Sequence, residues 1–267
     1  RLFNMTASES VSVYSGMAGP GDPAALPAPA FLAVLGAWIV VPLALAILAA
    51  VQTMSVAAIR ANLLHFRGIK KRFDVNIPAD DYRLRYNAAP GQELWVIPQE
   101  TPNDAQLFHW GLVPFWARDP KIGTRLINAR AETIAEKPAF RTPFKKHRCL
   151  VLADGFYEWD KKGARRVPYR VILQDEQPFA LAGICDYWKD ETGKELKSFS
   201  IITTDANQLI AKIHDRMPVI LLPHDEKVWL DPGLDIMKAI NMLRPYPASE
   251  MKMYPVSTLV NNPKNDL

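Results

Sequence analysis

The sequence predicts an α+β domain built on a curved or barrel-like, mainly antiparallel sheet with a few peripheral helices. Two observations support this fold class. Short runs of β-favouring apolar residues, bounded by Gly, Pro, Asn or Asp, recur from residue 94 onwards. Helical patterns are few and stand apart from the strands, and the sequence shows no internal repeat or low-complexity tract.

The first elements of the predicted domain are strands at residues 94–98 and 107–114, after a turn at Pro90-Gly91. A short helix is predicted at residues 131–140. Later strands are predicted at residues 169–173, 179–187 and 199–203, and helices at residues 226–229 and 234–243. The basic run from Lys161 to Arg166 is expected to be a solvated hairpin tip.

A buried strand is predicted at residues 149–153, where an apolar run ends at the turn signal Asp154-Gly155. Glu158 follows between two aromatic residues. A carboxyl group in such surroundings is partly desolvated, which raises its pKa and suits it to proton transfer near neutral pH. The alternative is an ordinary exposed glutamate at the end of a strand.

A second candidate for acid–base chemistry is His214. Residues 205–213 have the pattern of a short helix with Asp205 as its N-cap, and Pro218 prevents the helix from continuing. A histidine at the end of a helix, flanked by an aspartate and an arginine, has surroundings that tune its pKa. The alternative is a surface histidine that only caps the helix.

The composition of the 267-residue chain excludes several classes of protein. Hydrophobic residues make up 49%, which is enough for a substantial core. The net charge of +4 permits a polyanionic partner without requiring one. The histidines are scattered without metal-ligand spacing, so no metal and no small-molecule cofactor is expected. Cys149 and Cys185 lie in apolar runs and are predicted to be buried in a protein of a reducing compartment.

Residues 1–67 differ in composition from the rest and are predicted to be an atypical leader to a domain at residues 68–267. Within the leader, residues 31–51 are almost wholly apolar and long enough to cross a bilayer as a helix. The basic residues that follow would leave the domain in the cytoplasm. A fusion or a shifted reading frame is the preferred explanation of the leader, and a membrane anchor is the alternative.

Seven short motifs occur in an order and at spacings that resemble one known family. The motifs are residues 85–91 (RYNAAPG), 110–116 (WGLVPFW), 128–133 (NARAET), 153–159 (ADGFYEW), 213–218 (IHDRMP), 255–257 (PVS) and 260–261 (VN). They resemble the SOS-response-associated peptidase (SRAP) family of abasic-site-processing proteins, over about residues 68 to 267. The resemblance implies the SRAP fold, abasic-site processing in the DNA damage response, and a monomer.

The resemblance also implies roles for individual residues. An abasic site exposes a deoxyribose aldehyde, which the family traps with the amine and thiol of one amino-terminal cysteine. That cysteine is exposed by self-cleavage, from which the family takes the name peptidase. By resemblance, Asn128 positions the sugar or the cysteine, Glu158 handles protons, and His214 assists ring opening and Schiff-base formation.

Single-stranded DNA carrying abasic sites is the partner that the resemblance implies. Proteins bind single strands by combining basic groups with aromatic platforms. Pro90 and Trp116 are implied as wedges against the bases that flank the lesion. The full set of implied DNA contacts is Asn87, Pro90, Trp116, Arg130, Lys146, Arg148 and Arg216.

The sequence departs from the family pattern at the nucleophile. Family members begin with Met-Cys-Gly-Arg, whereas no cysteine precedes Cys149 here. Cys149 is internal and has no free α-amine, so it cannot replace an amino-terminal cysteine. The chain is therefore expected to lack covalent crosslinking and self-processing. Two alternatives remain: a noncovalent single-stranded DNA-binding module, and a membrane-tethered SRAP-like protein.

Overall fold

The computed structural model describes residues 68–78, 85–161, 166–262 and 264–265. The chain divides into two compact units, Arg1–Arg60 and Ala61–Leu267, and every described residue belongs to the second. The apolar segment at residues 31–51 lies outside the described residues. Among the residues that are described, no helix is both long enough and apolar enough to span a membrane.

Within the described residues, ten strands account for most of the regular structure. Their bounds are β1 Glu93–Pro98, β2 Gln106–Trp110, β3 Asn128–Arg130, β4 Arg148–Ala153, β5 Phe156–Trp159, β6 Pro168–Leu173, β7 Phe179–Lys189, β8 Glu195–Asp205, β9 Arg216–Pro218 and β10 Met251–Pro255.

Five of these strands close into a barrel. β1 pairs antiparallel with β2 and β4, β4 pairs with β7, and β7 pairs with β8. A parallel pair between β2 and β8 completes the ring, with His109 opposite Ser198 and Trp110 opposite Phe199. β3 and β9 add further pairs to β8. The predicted α+β class with a barrel-like, mainly antiparallel sheet is confirmed.

The long central strand β7 shows why the barrel strands have continuous apolar sequences. Its side chains alternate between two apolar clusters, as the two-residue period of a strand requires. Ala182 and Ile184 join the cluster that contains residues of the helices, whereas Leu181 and Cys185 join the cluster that contains β6 and β10. Because both faces are covered, few polar residues interrupt the strand.

A smaller sheet, in the order β10-β6-β5, packs beside the barrel and carries Glu158. In β5, Glu158 is opposite Tyr169 of β6. The described α-helices are a segment at residues 68–73, α1 (Arg141–Lys146), α2 (Pro223–Trp229) and α3 (Ile236–Met242). The helices predicted at residues 226–229 and 234–243 are therefore confirmed as α2 and α3.

Two other helix predictions are wrong. Residues 131–140 form a 3-10 turn at Ala131–Thr133 followed by irregular turns. Asp205 is the last residue of β8 and not a cap, because it pairs with Arg216 of β9. The remaining helical part is the 3-10 turn Ile210–Lys212, and the side chain of Asn207 accepts the N–H groups of Leu209 and Ile210 before it.

Candidate active site

Glu158 and His214 lie side by side although 56 positions separate them in the sequence. Oε1 of Glu158, in β5, is 3.7 Å from Nε2 of His214, which follows the turn Ile210–Lys212. The two side chains are only 20% and 13% exposed, respectively. A carboxyl group and an imidazole so arranged form an acid–base pair that is largely shielded from water.

Burial sets the protonation of Glu158. The pKa of this carboxyl is raised because desolvation outweighs the stabilisation of its charge by the Trp159 N–H, His214 and Lys161. The Trp159 N–H donates to Oε1 at 3.1 Å and fixes the carboxyl in place. A glutamate in this state holds its proton to a higher pH than an exposed one and is able to donate it.

The imidazole of His214 has partners at both ring nitrogens. Nδ1 is 3.0 Å from the Arg216 N–H, 3.2 Å from the Arg216 carbonyl oxygen and 3.1 Å from a carboxylate oxygen of Asp215. Nε2 is 2.5 Å from Nζ of Lys161. Since Nδ1 can accept from one neighbour or donate to another, the ring is able to carry its hydrogen on either nitrogen. This arrangement suits a group that moves protons.

Asn128 lies on β3 beside a large cleft. Along this strand Ala129 is buried, while Asn128 and Arg130 are exposed on the same face. Asn128 lines a cleft of about 790 Å³ that Tyr157 and Trp159, the two neighbours of Glu158, also line. Glu158 and His214 do not themselves line this cleft. The structure thus brings the imidazole and the carboxyl together and places the amide in a cleft that neither of them lines.

The walls of the cleft are rich in aromatic side chains. They are Tyr86, Trp95, Trp110, Phe156, Tyr157 and Trp159. Polar groups are also present, including an ion pair of 3.2 Å between Arg170 and Asp154. Trp159 is oriented by a hydrogen bond of 2.7 Å from its ring nitrogen to the side-chain oxygen of Asn261. Flat rings beside polar groups are what unpaired nucleobases require of a binding surface.

Comparison with known families identifies the family to which this chain belongs. Residues 54–263 match the family model described as SOS response associated peptidase (SRAP). The chain belongs to the SRAP family. The match includes Asn128, Glu158 and His214, together with the aromatic cleft beside them.

Several curated relatives of this SRAP chain are named abasic site processing proteins. YoqW of Bacillus subtilis (strain 168) is 43% identical over 206 residues, which cover 75% of this chain and 92% of the relative. YedK of Escherichia coli (strain K12) is 32% identical over 194 residues, which cover 71% of this chain and 85% of the relative.

Solved structures share the fold of this SRAP chain. A protein of Bacteroides thetaiotaomicron superimposes with a TM-score of 0.61 at 38% identity, over 66% of this chain and 80% of that one. A protein of Bordetella bronchiseptica superimposes with a TM-score of 0.64 at 26% identity, over 72% of this chain and 95% of that one.

Two residues implied as DNA contacts have structural partners in this SRAP chain. Asn87 is buried, and its amide donates to the carbonyl oxygens of Val260 and Asn262 at 3.0 Å. The guanidinium of Arg216 binds both carboxylate oxygens of Glu132, at 2.7 and 3.0 Å. It also donates to Asp205 and to the backbone of β8. These two side chains hold parts of the site together. Because their polar atoms already bind groups of the protein, they are less available to bind a phosphate.

Arg148 corrects the sequence-based expectation, because its guanidinium cannot reach a phosphate. The side chain is 1% exposed. Its nitrogens donate to four backbone carbonyl oxygens, those of Trp229 at 2.8 Å, Phe144 at 3.0 Å, Lys145 at 3.2 Å and Asp231 at 2.6 Å. Arg148 therefore joins β4 to α1, to α2 and to the segment that follows α2. It is not available as a DNA contact.

The other implied contacts remain on the surface. Pro90 is exposed at the rim of the aromatic cleft, Arg130 is exposed on β3, and Lys146 is exposed at the end of α1. Trp116 is 49% exposed and lines a separate open pocket of about 500 Å³ with Arg118 and other residues. Trp116 thus does not line the cleft beside Asn128.

The loop that carries Trp116 is fixed by buried anchors. The Phe115 N–H donates to the buried carboxylate of Asp186 at 3.0 Å, and the ring nitrogen of Trp188 donates to the Ala117 carbonyl oxygen at 2.7 Å. Phe115 itself is 58% exposed. Two large aromatic residues are therefore held in the solvent by the backbone, an arrangement typical of a binding surface.

Sequence reasoning missed Lys161 and Glu132 as parts of the site. Lys161 was expected in a solvated hairpin tip, yet its Nζ contacts His214. Glu132 belongs to the NARAET motif, but only the folded chain pairs it with Arg216. Among the residues that the structure describes, no group of three or more histidines, cysteines, aspartates or glutamates has the geometry to hold a metal ion.

Proposed function

We propose that this protein processes abasic sites in DNA, with Glu158 and His214 as its proton-transfer pair. The observation that carries the proposal is the 3.7 Å approach of the Glu158 carboxyl to the His214 imidazole, on a strand whose residues Tyr157 and Trp159 line the aromatic cleft. Membership of the SRAP family and the names of the curated relatives support the choice of substrate.

The chemistry of an abasic sugar gives the two groups distinct tasks. The sugar is a cyclic hemiacetal, and it exposes its aldehyde only after the ring opens. Opening requires a proton for the ring oxygen and the removal of a proton from the hydroxyl group at C1′. Glu158, whose pKa is raised by burial, donates the first proton, and His214 accepts the second. We assign to the amide of Asn128, which lines the cleft, the task of holding the sugar.

We propose single-stranded DNA as the form that is bound. The aromatic cleft offers stacking surfaces to unpaired bases, which a duplex keeps stacked upon each other. Exposed Pro90 and Trp116 lie against bases that flank the lesion, and exposed Arg130 and Lys146 contact phosphates. The unit that acts is the domain at residues 68–267, working as a monomer in the cytoplasm.

The burial of both cysteines favours a second candidate function. Cys149 and Cys185 are both fully buried, so neither thiol can reach a DNA lesion. Thiol-based crosslinking and self-processing peptidase activity therefore have no nucleophile among these two residues. A noncovalent module that binds single-stranded DNA is the second candidate, because binding requires only the cleft and the surface cations.

One experiment separates the two functions. A labelled single-stranded oligonucleotide with one abasic site is incubated with the protein and an alkoxyamine, which reacts only with the opened aldehyde, and conversion to the oxime adduct is followed by denaturing electrophoresis. Glu158→Gln and His214→Gln should each slow conversion about 10²- to 10⁴-fold, the usual contribution of a general acid or base. The control is Glu191→Gln, since Glu191 is an exposed carboxylate in the β7–β8 turn.

The outcomes are distinct. Wild-type rates in Glu158→Gln and His214→Gln would remove the proposed roles of both residues. Salt-sensitive binding by the wild-type protein without any conversion would support the noncovalent module.

A further inference from the structure

An ion pair lies in the wall of the aromatic cleft. Arg170 of β6 and Asp154, in the turn after β4, approach each other to 3.2 Å, and both residues line the cleft. Their side chains are 32% and 41% exposed. An ion pair that water reaches so easily contributes little to the stability of a fold. Its place in the cleft therefore points to a role in binding.

The sheet β10-β6-β5 fixes the position of Arg170. Along the sheet Arg170 is opposite Tyr157 on one side and Tyr254 on the other. Cross-strand neighbours project from the same face, so the three side chains form a row. A Cβ atom on Gly155 would lie 3.1 Å from Nε of Arg170. The glycine of the turn therefore leaves room for the guanidinium beside Asp154.

Asp154 restricts what Arg170 can bind. An arginine near DNA most often donates to phosphate oxygens. Here a phosphate on Arg170 would also lie close to the carboxylate of Asp154, and two like charges repel each other. An uncharged nucleobase avoids this repulsion, because its edge carries hydrogen-bond donors as well as acceptors. The pair is thus better suited to the edge of a base than to a phosphate.

Guanine is the base whose edge matches a carboxylate next to a guanidinium. Its N1 and N2 atoms are neighbouring donors, and its O6 and N7 atoms are neighbouring acceptors. Adenine, cytosine and thymine each have only one donor group on the corresponding edge. Arginine bound to O6 and N7 is the commonest specific contact of proteins with a base. A carboxylate and a guanidinium each have several hydrogen-bonding positions, so the two groups can contact each other and a base together.

We propose that Asp154 and Arg170 recognise a guanine base next to the abasic site, with Asp154 accepting from N1 and N2 and Arg170 donating to O6 and N7. The inference rests on the proposed function, because it requires single-stranded DNA in this cleft. Asn128, to which the sugar is assigned, lines the same cleft of about 790 Å³. Sites of this size hold molecules larger than one sugar. The lesion and its neighbouring base therefore share one binding surface.

Binding to four oligonucleotides tests the proposal on the full chain. Each labelled single strand carries a tetrahydrofuran analogue of the abasic site, which has no aldehyde and cannot react, between two copies of one of the four bases. Fluorescence anisotropy then gives one affinity for each base. The strand with guanine should bind about 5- to 150-fold more tightly than the others, the usual discrimination of a good bidentate contact. Arg170→Met and Asp154→Asn should each abolish this preference.

Arg244 provides a matched control for the loss of a positive charge. It forms an ion pair of 3.3 Å with Asp225, and neither residue is among the described residues that line the cleft. Arg244→Met removes the same charge as Arg170→Met and disturbs a similar ion pair. Any electrostatic effect on DNA binding should be the same for all four bases, so Arg244→Met should retain the preference for guanine.

Inosine tests the role of Asp154 with the wild-type protein alone. This base differs from guanine only in lacking the amino group at N2, so one of the two donors to the carboxylate is lost. The wild-type protein should bind the inosine strand about 5-fold or more weakly than the guanine strand, the usual effect of losing a hydrogen bond to a charged group. Asp154→Asn should bind the two strands equally. Each comparison uses a single protein, so a folding defect in the variant cannot imitate the result.

The outcomes separate this inference from the proposed function. Equal wild-type affinities for the four bases, or for guanine and inosine, would overturn the recognition of guanine. A loss in Arg170→Met that is the same for every base would assign Arg170 to a phosphate and overturn it too. Oxime formation from abasic DNA without a preference for guanine would leave the proposed function standing. A preference for guanine without oxime formation would support the inference and reject the proposed catalytic function.

Discussion

Glu132 binds the guanidinium of Arg216 through both of its carboxylate oxygens, at 2.7 and 3.0 Å. The ion pair is connected to the candidate active site through the backbone, because the N–H of Arg216 donates to Nδ1 of His214 at 3.0 Å. The ion pair between Glu132 of the NARAET motif and Arg216 of β9 therefore helps to fix the position of the His214 imidazole. This relationship gives Arg216 a positioning role, with no direct contact with DNA required.

Replacing Glu132 by Ala should slow abasic-site conversion roughly 10- to 100-fold, the usual effect of a small misplacement of a catalytic group. The free energy of unfolding should fall by only about 0.2–1 kcal/mol, because Glu132 is half exposed and its ion pair is screened by water. Conversion rates and urea titrations of Glu132→Ala and of the control Glu136→Ala measure both effects. An unchanged rate in Glu132→Ala would separate the ion pair from the placement of His214.

The same pair should depend on pH in a defined direction. The pKa of Glu132 is lowered because Arg216 donates hydrogen bonds to it. A lowered pKa contributes stability above the ordinary pKa of glutamate, and this contribution is lost as the pH falls through the lowered value. The stability difference between wild type and Glu132→Ala should therefore disappear in acid.

Glu158→Gln should become more stable than the wild-type protein as the pH rises. The pKa of Glu158 is raised by burial, so the wild-type carboxyl favours folding below its unfolded pKa and loses that contribution as the pH rises through the folded value. Urea unfolding at pH of about 4 and about 8 brackets the range. The variant should gain about 0.5–2 kcal/mol at the higher pH, the usual size of a single stabilising substitution, because its amide carries no charge that burial would desolvate. A loss instead of a gain would show that the carboxylate is stabilised in the fold.

Arg148→Met should reduce the free energy of unfolding by about 3–5 kcal/mol. The substitution leaves four carbonyl oxygens without their donors, and each unsatisfied buried group is costly. Lys146→Met, on the exposed end of α1, should change stability by no more than about 0.5 kcal/mol. Urea titration measures both variants. If Arg148→Met were as stable as Lys146→Met, the structural role of the buried Arg148 would be contradicted, and Arg148 would again be a candidate for contact with DNA.

Gly123→Ala should destabilise the loop that carries Trp116. A Cβ atom at position 123 would lie 2.6 Å from the backbone oxygen of Gly111, which cannot move aside as a side chain would. The expected loss is about 1–3 kcal/mol, the usual effect of forced overpacking. Gly68→Ala is the control, since nothing lies within 4 Å of its added Cβ and the residue is helical, which predicts a gain of about 0.5–1 kcal/mol. Thermal unfolding distinguishes a loss from a gain.

The predictions from sequence succeeded where the pattern was local. The run at residues 149–153 is strand β4, and Glu158 follows it after one turn, as the Asp154-Gly155 signal indicates. Glu158 was identified because two aromatic neighbours accompany it in the sequence itself. The apolar runs at residues 179–187 and 199–203 were also recognised as strands, and they lie within β7 and β8. These runs are apolar because both faces of the strands are covered.

What the sequence did not reveal depends on contacts between distant segments. Arg148 resembles a surface cation in a basic run, and only the carbonyl groups of Trp229 and Asp231, more than 80 positions later, explain its burial. Asp205 has the residue type of a helix cap, but its pairing with Arg216 keeps it in β8. Lys161 belongs to a charged run in the sequence, and its contact with His214, 53 positions later, arises only in the folded chain.

The parallel pairing of β2 with β8 has a consequence for how the polypeptide is made. The ring cannot close until Ser198, which lies 89 positions after its partner His109, has been synthesised. At about 5–20 residues per second, a ribosome takes roughly 4–18 s to synthesise that interval. During this time the apolar strands already translated lack their final neighbour, and contacts between such distant segments form slowly. Nascent chains should therefore be most prone to aggregation, and most dependent on chaperones, just before β8 leaves the ribosomal exit tunnel.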